Sequence, residues 1–270
     1  MKARIKFQKY GSMKFISHLD VMRYFQKLFC RAEIDNEFTK GYSPHQIMSF
    51  AAPLGVGLTS DSEYLDVELK TADAPEIMIK RMNEATTEGF RIIGFHPLLE
   101  REENQKAVTA MSLVSTADYL VSLKDGYSLA GVHTINDLKE QFRAFLDRPE
   151  IVIDKRTKNS EKAVDIKPMI TLVAFDESEY REKLKTVLAS YINNDQKPES
   201  SADQYDNANK LYLQLDTGSS VNLKPELVME AFYDYLSVPF EKYAWQVHRL
   251  EVYKRDAESG KLISLDRLDR

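Results

Sequence analysis

Two of the five histidines, the single cysteine and a cluster of basic side chains fall between Tyr10 and Gly57. His18 and His45 suit acid–base chemistry, because an imidazole titrates near neutrality and one ring can take a proton while another gives one. In a metal-free endoribonuclease they would serve as base and acid. The alternative is local: His18 lies in a helix-capping turn and His45 beside Pro44, where each ring can satisfy nearby backbone groups. Arg23, Lys27 and Arg31 recur at four-residue steps, which on a helix stacks their charges into one ridge about two turns long. Such a ridge can track phosphates, with Lys14 beside it, while Tyr42 and His45 in the adjoining Gly/Pro loop offer rings to a base or backbone. The same spacing also describes an ordinary solvated helix face.

Other chemistries lack their residues. Neither GxGxxG nor GxxxxGK[ST] occurs, so no glycine-rich phosphate loop opens a helix. His18, His45, His96, His133 and His248 show no close pairing of the HxxxH kind, so no metal site is expected. Cys30 alone cannot supply the three or four thiolates of an iron–sulfur cluster, nor form an internal disulfide. A weaker anion-binding candidate is the loop Gly218, Ser219, Asn222 and Lys224, which runs into a helix start at Pro225.

The formal net charge of -5 argues against bulk coating of nucleic acid. Its distribution is uneven. In the first fifty residues Lys2, Arg4, Lys6, Lys9, Lys14, Arg23, Lys27, Arg31 and Lys40 face only Asp20, Glu33, Asp35 and Glu37. That asymmetry points to a confined anionic partner or to a plain solvated surface. No apolar run reaches the roughly 20 residues of a membrane span, and the N-terminus does not open like a signal peptide, so a cytoplasmic protein without a membrane partner is expected.

The elements that must position these residues follow from periodicity. Residues 2–8 alternate, with Ala3, Ile5 and Phe7 on one face and Lys2, Arg4 and Lys6 on the other, which predicts a half-buried strand. Ser17 reads as an N-cap, with Asp20 three positions on, for a helix whose Leu19, Met22, Phe25, Leu28, Phe29 and Ala32 supply the apolar side. Strands are expected over 46–52 and 62–70, a helix from Ala74-Pro75, and a strand over 90–95. Strand, helix, strand, strand, helix, strand is the split βαβ order of a ferredoxin-like fold.

After a linker the pattern restarts. Strands over 118–124, 169–175, 210–215 and 244–253 alternate with helices after Thr134, over 177–192 and over 225–236, and a hairpin turns at Lys158-Asn159-Ser160. The polar stretch 193–209 reads as a mobile surface loop and the charged end after Arg255 as a fraying tail. The fold class expected is α+β: two tandem ferredoxin-like units with antiparallel sheets, at 1–98 and 116–255, the second decorated, joined by a linker at 99–115 and followed by a charged tail at 256–270.

Several blocks together resemble the bacterial radical-SAM-linked family, whose members occur beside or fused to cobalamin-binding radical SAM proteins. These are Arg4-Ile5-Lys6-Phe7 with Gly11, Lys14-Phe15-Ile16-Ser17-His18-Leu19-Asp20 with Arg23, Gly41-Tyr42-Ser43-Pro44-His45, Ser49-Phe50-Ala51 with Pro53-Leu54 and Val56-Gly57, and Glu63-Tyr64-Leu65-Asp66. Val164-Asp165-Ile166-Lys167-Pro168 and Gly218-Ser219 with Asn222-Leu223-Lys224-Pro225 match in the second half. The chain departs from the family pattern at Gly41–Gln46, where Gly-Phe-Asn-Pro-His-Pro is usual, and at Ala32–Glu37, where a more basic segment is usual.

The resemblance implies an accessory protein, without independent catalytic activity, that acts in RNA modification or processing. Its partners would be RNA and a radical SAM protein that holds the iron–sulfur cluster and SAM, leaving no cofactor in this chain. A protein-binding adaptor that makes no RNA contact is the other reading of that role.

Overall fold

The computed structural model describes residues 1–99, 109–156, 161–190, 199–218 and 221–268. The strands are β1 (Lys2–Lys9), β2 (Met48–Phe50), β3 (Thr59–Glu68), β4 (Phe90–Leu98), β5 (Thr116–Leu123), β6 (Val152–Arg156), β7 (Glu161–Asp165), β8 (Ile170–Ala174), β9 (Lys210–Asp216), β10 (Trp245–Arg255) and β11 (Leu262–Ser264). The helices are α1 (His18–Arg31), α2 (Pro75–Ala85), α3 (Ala110–Leu113), α4 (Ile135–Asp147), α5 (Glu177–Val187) and α6 (Pro225–Tyr235).

Nine strands join one mostly antiparallel sheet in the order β4-β1-β3-β10-β5-β9-β8, with β2 on β3 and β11 on β10. Among the described residues, the strands of the two halves of the chain pair at one parallel contact, where His248 and Arg249 of β10 lie opposite Thr59 and Ser60 of β3. β6 and β7 form a separate hairpin, whose turn at 158–160 lies outside the described residues, as does most of the expected linker.

Local signals set the helix starts. Ser17 accepts from the Asp20 amide at α1, Thr134 and Asp137 form a reciprocal capping box at α4, and α2 and α6 begin with Pro75 and Pro225, whose fixed φ suits a first turn. The apolar face of α1 is Val21, Phe25, Leu28 and Phe29. Phe25 packs against Phe7 with ring centroids 4.6 Å apart. Each such buried side chain contributes about 1.5–3 kcal/mol of transfer free energy. Leu19, expected on that face, is 57% exposed, because the helix turns it away from the cluster formed with β1, β3, β4 and α2. A second, larger cluster lies under α4 and α6.

Three expectations are corrected. β1 is covered on both faces: Arg4 and Lys6 are buried, because residues from the end of the chain close over them. Arg4 makes a bidentate contact with Asp66, at 2.7 and 3.0 Å, and donates to the Leu265 carbonyl. Lys6 donates to Glu251 at 2.7 Å and Asp266 at 3.1 Å.

The segment after Arg255 does not fray as far as it is described, since β11 pairs with β10 and Leu262 and Leu265 are buried. Nor is the polar stretch before β9 loose where it is described. Ser200 and Ser201 donate to Asp61, Gln8 donates to the Glu199 carbonyl, and Asp203 accepts from Lys14.

Candidate nucleic-acid interface

The second half of α1 and the loop that follows it form an open concave surface beside the basic ridge. Lys27, Cys30 and Arg31 line one wall of a groove of about 590 Å3, and Phe38, Pro44 and His45 line the other. The loop closes on itself: the Thr39 amide donates to the His45 carbonyl, the His45 amide donates to the Thr39 hydroxyl, and His45 Nδ1 lies 3.1 Å from that hydroxyl. This holds the imidazole at the groove while Tyr42, at the loop tip, is fully exposed.

The expected nucleic-acid residues therefore divide. Lys27, Arg31 and His45 share the groove, and Arg31 is braced by two hydrogen bonds to the Ala85 carbonyl and by the face of Tyr24. Arg23 lies nearer the start of the helix, paired with Asp20 at 3.3 Å, both exposed. Lys14 is held by Asp203 at 2.6 Å and is mostly covered, so its charge is already matched within the chain. Tyr64 is buried with its hydroxyl on Glu251 at 2.6 Å.

His18 and His45 are not brought together. His18 lies against Phe50, edge to face at 5.0 Å, in a pocket at the start of α1, whereas His45 lines the groove beside Cys30. From His18 to Cys30 is about 18 Å along a helix axis at 1.5 Å per residue, so the two rings line different pockets. Burial, followed by the charge of Lys9, lowers the His18 pKa from its ordinary value.

The loop before α6 has a packing explanation. A Cβ on Gly218 would lie 2.6 Å from the Val114 carbonyl oxygen, so the glycine permits close approach of two backbones. Thr217 donates to Asn222, and Lys224 is exposed at the N-cap without a side-chain cap. Ser219 lies outside the described residues.

Residues 2–225 match the family described as "Uncharacterized protein conserved in bacteria (DUF2344)". The chain belongs to this DUF2344 family. No curated protein matches it. Among the described residues of this DUF2344 protein, no helix is long and apolar enough to cross a membrane, and no group of three or more His, Cys, Asp or Glu could hold a metal ion.

One cluster of this DUF2344 chain escapes motif reading altogether. Lys9 continues the inward row Ala3, Ile5, Phe7 of β1, and Glu63 begins the inward row Leu65, Val67 of β3, so two charged residues occupy positions where alternation calls for apolar ones. Arg249 reaches them from β10, with Nε 3.1 Å from Glu63 Oε1 and Nη1 donating to the Ala52 carbonyl. Burial lowers the Lys9 pKa and raises that of Glu63, against the opposing charges of Glu63 and Arg249 respectively. The available signal was the phase of the charges along each strand.

Proposed function

We propose that this DUF2344 protein is an RNA-binding accessory protein that acts in RNA modification or processing with a radical SAM partner. The observation that carries the RNA reading is the convergence of Lys27, Arg31 and His45 on one open groove. Two cations that can meet phosphates stand beside an apolar wall of Phe38 and Pro44, the pairing of charge and ring that unstacked nucleotides need. Tyr42 extends that surface, and the acidic balance of the rest of the chain confines contact to this face.

The radical SAM partner is proposed from the resemblance of the Lys14–Asp20 and Gly41–His45 blocks. A face for a protein partner is supported by Phe15 and Val56, both more than half exposed. They flank the hydrogen bond from the Gly57 amide to the Lys14 carbonyl. The reading as two ferredoxin-like units, 1–98 and 116–255, is supported by the strand order β4-β1-β3-β2 in one half and β10-β5-β9-β8 in the other.

The test is binding of the purified chain to total cellular RNA at low and moderate salt, with Lys27→Glu/Arg31→Glu alongside. Two or three phosphate contacts predict a log–log salt slope of about -1.5 to -2, and the double variant should lose most of the affinity. Absence of binding at low salt would sink the RNA reading and leave the protein-adaptor reading, tested by co-purification with the radical SAM partner.

A further inference from the structure

The buried charges at the end of the first core form a second place where a ligand atom fits. Lys9 is 1% exposed and its ammonium has no hydrogen-bond partner among the described residues. It faces a pocket walled by His18, Glu63, Phe50, Pro53 and Leu54, with an interior of about 10 Å3, room for a single oxygen atom. An ammonium left without a partner in such a place is destabilising unless something meets it.

The surrounding charge selects what that something is. Glu63 lies beside Lys9 and forms an ion pair with Arg249 at 3.1 Å without a hydrogen bond between the two atoms, while Arg249 donates to the Ala52 carbonyl of the loop that roofs the pocket. With Arg249 set against Glu63 at 3.1 Å, Lys9 is left as a buried cation of this pocket whose ammonium meets no hydrogen-bond acceptor among the described residues. The matching occupant is an oxygen carrying negative charge.

We propose that the pocket between Lys9, His18 and the Pro53–Leu54 turn is a seat for one oxygen of an oxyanion, a phosphoryl or carboxylate group whose remainder lies at the mouth beside His18. Lys9 supplies the charge, and His18 supplies a ring N–H at the rim. The seat is separate from the groove beside Cys30 and stands whether or not that groove binds RNA.

The experiment is a titration of the full chain with sodium phosphate and, in a second arm, sodium acetate, at constant ionic strength set with sodium chloride. The readout is the NMR signal of the His18 ring. Saturable movement of that signal in the wild-type chain is expected, in the phosphate arm for a phosphoryl seat and in the acetate arm for a carboxylate seat. Lys9→Met should abolish the response. Its thermal midpoint without the anion should be equal or higher, since an unpartnered ammonium is replaced by an apolar side chain of similar length. A His18 signal unmoved by either anion up to tens of millimolar, or one that moves equally in Lys9→Met, would overturn the proposal and leave the pocket with an ordinary water. Should Lys9→Met fail to fold, the wild-type titration decides alone.

Discussion

The chain carries charge in two ways. Along α1, Arg23, Lys27 and Arg31 stand on the surface, while behind the helix the sheet carries Arg4, Lys6, Glu251 and Asp118, all buried. The residue types are similar and the energetics are opposite. An exposed pair contributes about 0–1 kcal/mol, because water already solvates both partners. A buried one holds charges that have lost their water and depend on each other, so removing one partner strands the rest. Surface charge is thus open to recruitment for binding, whereas buried charge fixes how the two halves of the sheet join.

The hardest test of this comparison is Glu251→Ala. Glu251 accepts from Lys6 at 2.7 Å and from Tyr64 at 2.6 Å. Its loss should destabilise the chain by about 3–5 kcal/mol in urea unfolding. The double change Lys6→Met/Glu251→Leu should recover part of that, since it removes the Lys6–Glu251 pair from the interior but leaves Asp266 without its Lys6 contact. Equal loss in single and double variants would mean that shape, not charge, matters at this joint.

The buried carboxylates divide again by sign. Asp118 receives the hydroxyls of Tyr180 at 2.5 Å and Tyr253 at 2.9 Å, yet burial outweighs them and pushes its pKa up to about 6. A raised folded pKa means that the folded state holds the proton more tightly than the unfolded one. The associated stability is present below about pH 4 and is lost as pH rises through 6, a change of about 3 kcal/mol. Asp61 and Asp266 run the other way. Burial raises both, but the His248 contact for Asp61 and the Lys6 charge for Asp266 overcome it and hold each at about 2. Their contribution, about 2 kcal/mol each, is present above pH 4 and lost as pH falls through 2. Urea unfolding from pH 3 to 8 should show Asp118→Asn flattening the decline between pH 4 and 6; an unchanged slope would remove Asp118 from the account.

Gly218→Ala should cost about 1–3 kcal/mol, the range for forcing extra volume into a packed site, because its Cβ would meet the Val114 carbonyl oxygen at 2.6 Å. RNA affinity should stay unchanged. A loss of affinity with full stability would return this loop to the list of anion sites.

What could be read from sequence tracks the distance over which its cause acts. Ser17 with Asp20, Thr134 with Asp137, and the prolines at 75 and 225 mark helix starts because a cap involves residues within one turn. The groove was legible in part, since Lys27, Arg31 and His45 lie within twenty residues of one another. The second covered face of β1 was not. Alternation told that Arg4 and Lys6 share a face, but their partners Leu265, Glu251 and Asp266 lie some 245–261 residues away. Without those partners the same pattern describes a strand facing water. Lys9 and Glu63 were hidden differently, as charges in the phase of an apolar row.

The smallest expected effect is on the exposed side of the comparison. Arg23 and Asp20 are 67% and 51% exposed and meet at 3.3 Å, so Arg23→Glu should change stability by no more than about 0.5 kcal/mol beyond the loss of a weak pair. Its effect on RNA affinity should also be smaller than that of Lys27→Glu. Asp20 already offsets the Arg23 charge, and the groove wall begins at Gln26 and Lys27. Measured side by side at one salt concentration, the two single variants rank the ridge by position. If Arg23→Glu weakens RNA binding as much as Lys27→Glu, the whole length of α1 tracks the backbone. If only Lys27→Glu does, the contact is confined to the groove, and recognition rests on a nucleotide placed between His45, Phe38 and the end of the helix.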